Sequence, residues 1–248
     1  MTQPSLVARG KREVFTLMGL ILHDAVVVRM FLTLLAATMV MIVLYVIAGI
    51  WDGEYALAHV IRHNFDLGLD DVFAENFNHG LSFLVAVLML LSFFEIRSRA
   101  LMFLVVLYSF IWFDDSSQYH ERAGGKIGAA LHIPVSHGLG PQEYGELLAW
   151  VIAGLCVGAV FLWAWFGRRP GDLGVLLPFF MCFVLLVICA VVVDMLHAVL
   201  PAGFSELAGV VEDGGEMLAI TASAGLAIGL SRHAREYYRA VSPAAAEG

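Results

Sequence analysis

The chain has 248 residues, of which 60% are hydrophobic and only 15% are charged, and its formal net charge is −8. This composition, with a mean hydropathy of +0.83, excludes an ordinary soluble domain and indicates an integral membrane protein. The cysteines Cys156, Cys182 and Cys189 lie in apolar runs, so we expect core residues rather than a disulfide framework. We expect one domain over residues 1–248, and no nucleic-acid partner.

The first predicted element is an amphipathic helix over residues 13–29, apolar on one side, with His23, Asp24 and Arg29 on the other. Such a helix lies in the membrane interface. The first long apolar run begins only near Met30, too far along the chain for a cleaved secretory signal. We therefore expect the first membrane helix to be retained.

Six later runs reach the length of about 20 mostly apolar residues that a membrane crossing needs. These predicted spans are residues 30–51, 77–96, 100–120, 146–166, 175–199 and 211–230. Residues 52–72 and 122–141 are predicted to be long loops, and residues 239–248 a polar tail. The predicted fold class is all-α: a polytopic membrane helix bundle over residues 30–230, with six transmembrane helices preceded by the N-terminal amphipathic helix.

The charges predict the orientation. With the N-terminus inside, eleven of the fourteen Lys and Arg residues lie on the inner side, as the positive-inside rule requires. Sixteen of the twenty-two acids and seven of the nine histidines then lie on the outer side or at the outer helix ends. We therefore expect a multi-pass protein of the bacterial inner (plasma) membrane with both termini in the cytoplasm.

Several acids and histidines lie deeper than the membrane surface. Asp114 is about 21 Å along its helix from Ala100, in a hydrocarbon core about 30 Å thick. An ionisable group at such a depth costs about 2.5–3.5 kcal/mol on insertion scales, so it normally faces the bundle interior and has a partner. The helical spacings that direct two such groups to one side are Glu75/His79, Ser116/His120, Glu212/Glu216, Asp194/His197, Glu143/Glu146 and Asp114/Glu121.

Carboxylate and histidine pairs on facing helices are how helical bundles build metal sites, and mixed ligands of this type suit zinc, iron, manganese or copper. We therefore predict a divalent metal site at the outer leaflet, with zinc first and copper or iron as alternatives. The predicted ligands are His79, Asp115, His120, Asp194, His197 and Glu216. Glu75 or Glu212 is predicted to be the general base, and Ser116 to orient the water or ligand.

Structural roles compete with this hypothesis. A carboxylate at a helix N-terminus stabilises the helix dipole, and an Asp–His hydrogen bond can simply join two helices. The pairs Gly154/Gly158 and Gly225/Gly229 have the spacing of helix-packing motifs and are interpreted as such. The roles of Glu143, Glu146 and the loop histidines His59, His63, His132 and His137 stay open.

The runs AENFNHGLS and SSQYHE resemble the alkaline ceramidase branch of the CREST superfamily of membrane hydrolases. That family has AExxN near the start of one helix and SxxxH near the end of the next. Here the matching residues are Ala74, Glu75 and Asn78, then Ser116 and His120.

In that family the Ser, the His, an Asp on a following helix and an HxxxH pair on the last helix surround zinc. The resemblance implies a zinc-bound water that attacks a lipid amide or a similar bond, with the metal lowering the pKa of the water toward 7. This chain has Glu212 and Glu216 in place of the HxxxH pair, and Glu143 or Glu146 would replace the Asp.

Two further resemblances bear on function. The pattern DDxxxxHE, followed by DxxH and EDGxE, resembles a set of uncharacterised bacterial six-helix membrane proteins. The layout also resembles the C subunit of copper membrane monooxygenases, which has an N-terminal amphipathic segment and ligands at outer helix ends. That likeness implies a copper- or iron-dependent membrane oxidase or monooxygenase-like subunit as an alternative to the hydrolase.

Two non-enzymatic hypotheses also stay open. An ion or proton relay would need polar residues across the whole membrane, but inner runs such as LLPFFMCFVLL are almost wholly apolar, which favours a pocket open to one side. The protein could instead be an accessory subunit whose acids meet a partner subunit. The expected partners are membrane lipid and a lipid-like substrate.

Overall fold

The structure is a computed structural model that describes residues 5–50, 55–67, 72–136, 138–201 and 204–242. Within these ranges the chain forms α-helices and one π-helical segment, Ile188–Val193, and no β-strand. The helices are α1 (Leu6–His23), α2 (Ala25–Ile50), α3 (Ala56–Asn64), α4 (Phe73–Ile96), α5 (Arg99–Ser117), α6 (Tyr119–Leu131), α7 (Pro141–Phe166), α8 (Asp172–Val187), α9 (Asp194–Val199) and α10 (Ser205–Ala240).

Six helical segments are long and apolar enough to cross a membrane, which confirms the predicted all-α class and the predicted number of apolar helices. They are Ala25–Ile50, Phe73–Ile96, Arg99–Ser117, Pro141–Phe166, Asp172–His197 and Leu207–Ala240. We call the bundle end that carries Glu75, Asp114 and Glu216 the acidic end, and the end that carries Arg99 and Arg169 the arginine end.

The predicted amphipathic helix over residues 13–29 has the wrong bounds. The chain breaks at Asp24, where α1 ends and α2 begins. The Asp24 carboxylate accepts hydrogen bonds from the backbone N–H groups of Val26 (2.8 Å) and Val27 (3.3 Å), so it caps α2. A short acidic side chain that competes for backbone donors in this way starts a new helix instead of continuing the old one.

Helix α1 also packs more closely on the bundle than a purely interfacial helix would. Its buried residues Gly10, Glu13, Leu17 and Ile21 lie on one face, which contacts α8 and α10. Glu13 has no exposed surface. Its carboxylate accepts hydrogen bonds from the Arg9 Nε–H (2.7 Å) and from the backbone N–H of Gly174 in α8 (3.2 Å).

The two predicted loops contain helices as well. Helix α3 lies within residues 52–72 and α6 within residues 122–141. The predicted span over residues 100–120 ends early because Gln118 adopts a left-handed backbone conformation (φ +50°), which closes α5 and starts α6 in a new direction. The last helix continues past the predicted end at Leu230 to Ala240.

Helix α10 lies at the centre of the bundle, with α1, α2, α4, α8 and α9 packed around it. Close approach at α10 depends on its small residues, as the spacing predicted. A Cβ atom on Gly225 would overlap the ring of Phe31, and one on Gly229 would lie 2.5 Å from the Ile21 side chain. Each glycine therefore lets α1 or α2 pack directly on the α10 backbone.

The arginine end is held together by a fully buried carboxylate, Asp172, at the start of α8. It accepts hydrogen bonds from the Ser98 Oγ–H (2.6 Å), the Tyr238 hydroxyl (2.8 Å) and the backbone N–H of Arg169 (2.7 Å). These donors belong to the α4–α5 turn, to α10 and to the α7–α8 turn. One side chain therefore joins three parts of the fold at this end.

The junction between α1 and α2 gives a prediction about pH. The hydrogen bond from Arg232 holds the pKa of Asp24 well below its usual value. Desolvation opposes this effect, whereas hydrogen bonds from the Val26 and Val27 N–H groups and from His233 lower the pKa further. Folding thus favours the charged carboxylate. Its stabilisation is complete above the unfolded-state pKa of about 3.9 and is lost as the pH falls through the lower folded-state pKa.

We therefore expect Asp24→Asn, which can still cap α2, to have a lower melting temperature than the parent near pH 7 in mild detergent. The difference should shrink as the pH falls below about 4. Asp24→Ala also loses the cap, so it should be less stable than Asp24→Asn at every pH. Equal melting of parent and Asp24→Asn near pH 7 would show that the charge adds nothing to the junction.

Candidate functional site

A cavity of about 950 Å³ opens at the acidic end and continues between α5, α7 and α8 toward the arginine end. This volume lies at the upper end of the range typical of small-molecule sites. Nine carboxylates line its acidic part: Glu75, Asp114, Asp115, Glu121, Glu146, Asp194, Glu212, Asp213 and Glu216. Among the described residues that line the cavity there is no Lys or Arg. We call these nine carboxylates the acidic rim.

The rim is drawn from six helices (α4, α5, α6, α7, α9 and α10) because each begins or ends here with polar residues. On α4, His79 lies 3.6 Å from Glu75 and 3.4 Å from Asp115 of α5, measured from Nε2 to the carboxylate oxygens. Beside it, Asn78 is only 8% exposed and lines the cavity. Its Oδ1 is buried and has no hydrogen-bond partner among the described residues, an arrangement that costs free energy unless a ligand donates to it.

The break at Gln118 positions the next pair. Because the chain turns there, His120 folds back on Asp114: its backbone N–H and its Nδ1 each lie 3.1 Å from an Asp114 carboxylate oxygen. The His120 ring centroid lies 5.1 Å from that of Trp150 in α7. Burial alone would lower the pKa of His120, but the hydrogen bond to Asp114 and the charges of Asp114, Glu121 and Glu146 outweigh it, so the pKa is raised.

The third histidine lies beyond the π-helical segment, on α9. His197 Nδ1 is 2.9 Å from a carboxylate oxygen of Glu212 on α10. The π-helical segment shifts the register of the chain immediately before Asp194, and such segments occur often at functional sites. Asp194 lies within electrostatic range of both His120 and His197.

These pairs form one connected cluster. The charges of Asp115, Asp213, Glu212 and Asp194 all act on Glu216, which lies among them on α10. The rim therefore concentrates like charges from α5, α9 and α10 in one place. Such a concentration is relieved by a metal ion, by a cationic ligand or by protonation of some of the carboxylates.

The apolar part of the cavity is a slot between α7 and α8. It is lined by Gly154, Gly158 and Phe161 of α7 and by Leu176, Phe180 and Phe183 of α8. Both helices pack against α5 but scarcely contact each other. The expectation that Gly154 and Gly158 pack against a helix is wrong, because a Cβ atom on either glycine would meet no atom of another described helix within 4 Å. These glycines instead leave room in the slot.

Seven of the nine predicted site residues line this cavity: Glu75, Asp115, His120, Asp194, His197, Glu212 and Glu216. His79 lies behind the rim, against Glu75 and Asp115, and Ser116 is not among the lining residues. The predicted alignments of Ser116 with His120 and of Asp114 with Glu121 assumed one continuous helix, and they are lost at the Gln118 break. The partner of His120 is Asp114 instead.

The structure gives different positions to the residues whose roles the sequence left open. The Glu143 carboxylate accepts a hydrogen bond from the Gly140 N–H (2.8 Å) and so caps α7, whereas Glu146 lines the cavity. His59 and His63 lie on α3, and His132 ends α6 in a left-handed conformation. His137 lies outside the described residues.

The rim has the side chains that a divalent metal prefers, but it is not a finished metal site. Among the residues that the structure describes, no three His, Cys, Asp or Glu side chains are grouped closely enough to hold one ion. Instead His79, His120 and His197 each lie against a carboxylate of their own. Metal binding would have to replace at least one of these contacts.

Comparison with known proteins places the bundle in a family. No curated protein and no solved structure matches the chain. Residues 32–230 match the model of a domain of unknown function, DUF8692, and this region contains every residue of the acidic rim and the slot but excludes α1. As the match covers well over half of its length, the chain belongs to the DUF8692 family.

Proposed function

We propose that this chain is a multi-pass protein of the bacterial inner membrane that binds a lipid-like amphiphile, with the polar part of the ligand at the acidic rim. One observation carries the proposal: a single cavity joins a strongly polar rim to an apolar slot. A purely polar ligand would leave the slot unfilled, and a purely apolar one would leave the rim charges uncompensated.

The arrangement of charges supports the topology. Arg97, Arg99, Arg168 and Arg169 lie in or beside the turns at one end, and the nine carboxylates of the acidic rim lie at the other. The positive-inside rule puts the arginine end in the cytoplasm, together with both termini. The acidic rim then opens toward the outer side, where an amphiphile of the outer leaflet can reach it.

A metal-dependent hydrolase is the second candidate, favoured by the histidine–carboxylate pairs of the rim. From the predicted ligands, His120, His197, Asp194 and Glu216 would hold the ion, because their charges act on one another across α6, α9 and α10. Zinc at this position would supply a water activated near neutral pH. Glu212, which already contacts His197, would accept the proton of that water, and the slot would hold the apolar part of the substrate.

Metal content after purification in mild detergent without chelators tests the second candidate. This second candidate predicts about one zinc per chain, lost in His120→Ala and in Glu216→Ala, because each variant removes a donor from the rim. His63→Ala is the matched control, since His63 lies on α3 and does not line the cavity, so it should keep its metal. Copper or iron at the same stoichiometry would favour the oxidase alternative. A metal-free parent would contradict metal catalysis but not amphiphile binding.

Native mass spectrometry of the protein released from nanodiscs tests the first candidate. We expect one amphiphile per chain to stay bound after the other lipids have dissociated. A parent that retains none, and that also takes up no added single-chain amphiphile, would contradict the proposal whatever its metal content.

A further inference from the structure

We propose that the ligand has a positively charged head and a single hydrocarbon chain, and that the chain lies between α7 and α8 over Gly154 and Gly158. This inference rests on the proposed binding of an amphiphile. It adds the charge of the head, the path of the chain and the residues that select for both.

The charge of the head follows from what the rim lacks. Nine carboxylates meet no Lys or Arg among the described lining residues, so an anionic head would add to the repulsion and a cationic head would relieve it. The two histidines that line the rim, His120 and His197, already lie against Asp114 and Glu212.

A second observation points the same way. Asn78 lines the cavity, and its buried Oδ1 is a hydrogen-bond acceptor without a donor among the described residues. A primary ammonium has three donors and no acceptor, so it can satisfy Asn78 and neighbouring carboxylates together. A carboxylate or phosphate head has no such donors when it is ionised.

The path of the chain follows from the slot. Gly154 and Gly158 lie one helical turn apart on α7, and open space lies in front of both. The rings of Phe161 on α7 and Phe180 on α8 line the same space. From Glu146 at the rim to Phe161, α7 rises about 22 Å, which is most of a hydrocarbon core about 30 Å thick. This length suits a long alkyl chain aligned with the helices.

The slot opens on the outer surface of the bundle, between α7 and α8. Val151 and Phe180, on the two sides of the slot, are 58% and 51% exposed, and α7 and α8 scarcely contact each other. In a membrane this surface faces lipid. The ligand therefore enters sideways from the outer leaflet, with its head sliding along the rim and its chain staying in an apolar environment throughout.

The test uses the full chain in nanodiscs of neutral lipid and compares hexadecylamine with hexadecanoic acid, which have the same chain and heads of opposite charge. Competition with a fluorescent alkylamine measures their affinities. We expect hexadecylamine to bind at least tenfold more tightly, and Gly158→Leu to weaken its binding at least tenfold because the leucine fills the slot. Gly80→Leu is the matched control, since Gly80 lies on α4 with no atom within 4 Å of its Cβ position and does not line the cavity.

Each outcome bears on one step. Equal affinities for the two amphiphiles would overturn the charge of the head. Unchanged binding by Gly158→Leu, with a melting temperature equal to that of Gly80→Leu, would overturn the chain path. Butylamine that binds as well as hexadecylamine would show that the slot takes no chain. If neither long-chain amphiphile binds the parent, amphiphile binding itself fails, not only its refinement.

Discussion

Asp172→Asn is expected to destabilise the protein by about 1–3 kcal/mol, the cost of leaving a buried donor without an acceptor. All three groups that contact the Asp172 carboxylate donate a hydrogen bond to it: the Ser98 Oγ–H, the Tyr238 hydroxyl and the Arg169 backbone N–H. An asparagine amide points one NH₂ group at one of these donors, and the site has no exposed surface through which water could compensate. Asp172→Ala leaves all three donors unsatisfied and should cost more.

Reversible unfolding with SDS in mixed micelles measures this free-energy difference. Glu236→Gln is the matched control at the same end of the bundle: Glu236 is 63% exposed and contacts His233 at 3.2 Å, so its loss should change stability by less than about 0.5 kcal/mol. A normal unfolding midpoint for Asp172→Asn would mean that Asp172 does not hold the α4–α5 turn, α8 and α10 together.

The sequence predicts the bundle well, because a membrane crossing has a simple physical signature. A run of about 20 apolar residues needs no knowledge of its neighbours, so the six apolar helices follow from local composition. The ends of the helices do not, because they depend on single residues. Nothing in the local pattern shows that Gln118 takes a left-handed conformation, and that one dihedral separates α5 from α6.

Burial of charge is equally hard to predict from a helical pattern. The predicted topology puts Glu13 and Asp172 on the inner side but does not show that both have no exposed surface. Besides the local donors Arg9 and Arg169, their partners come from distant parts of the fold: Gly174 of α8 for Glu13, and Ser98 of the α4–α5 turn and Tyr238 of α10 for Asp172. Only the tertiary packing brings those donors close enough to offset desolvation.

The candidate site also has one part that the sequence predicts and one part that it does not. The acidic rim follows from the sequence because polar residues at the ends of apolar helices must meet at one end of the bundle. The slot does not follow, because Gly154/Gly158 and Gly225/Gly229 have the same spacing and opposite surroundings. Gly225 and Gly229 meet Phe31 and Ile21, whereas Gly154 and Gly158 meet open space. The spacing shows a smooth helix face, and only the neighbouring helix decides whether that face is packed or open.

The α6–α7 hairpin also depends on glycine. Gly124 and Gly128 of α6 face the first turns of α7, where a Cβ atom on Gly124 would lie 2.6 Å from the backbone nitrogen of Glu146 and one on Gly128 would overlap the carbonyl of Pro141. The two backbones are therefore in direct contact. This contact places His120, just before Gly124, beside Glu146 at the acidic rim.

Gly124→Ala is accordingly expected to destabilise the protein by about 1–3 kcal/mol, because the α7 backbone has to move away from the new methyl group. Gly125→Ala, at the adjacent position, should have the opposite sign and stabilise by about 0.5–1 kcal/mol, because its Cβ meets no atom within 4 Å and alanine favours the helix. SDS unfolding of both variants in the same micelles measures the two differences.

Gly124→Ala and Gly125→Ala also distinguish the contribution of the acidic rim to ligand binding from that of the slot. Moving α6 from α7 displaces His120 relative to Glu146 but leaves Gly154 and Gly158 unchanged, so Gly124→Ala should lose more affinity for hexadecylamine than for the matched alcohol, hexadecanol. Gly125→Ala should bind both like the parent. Two variants of equal stability would show that α6 and α7 are not in backbone contact, and the position of His120 at the rim would then need another support.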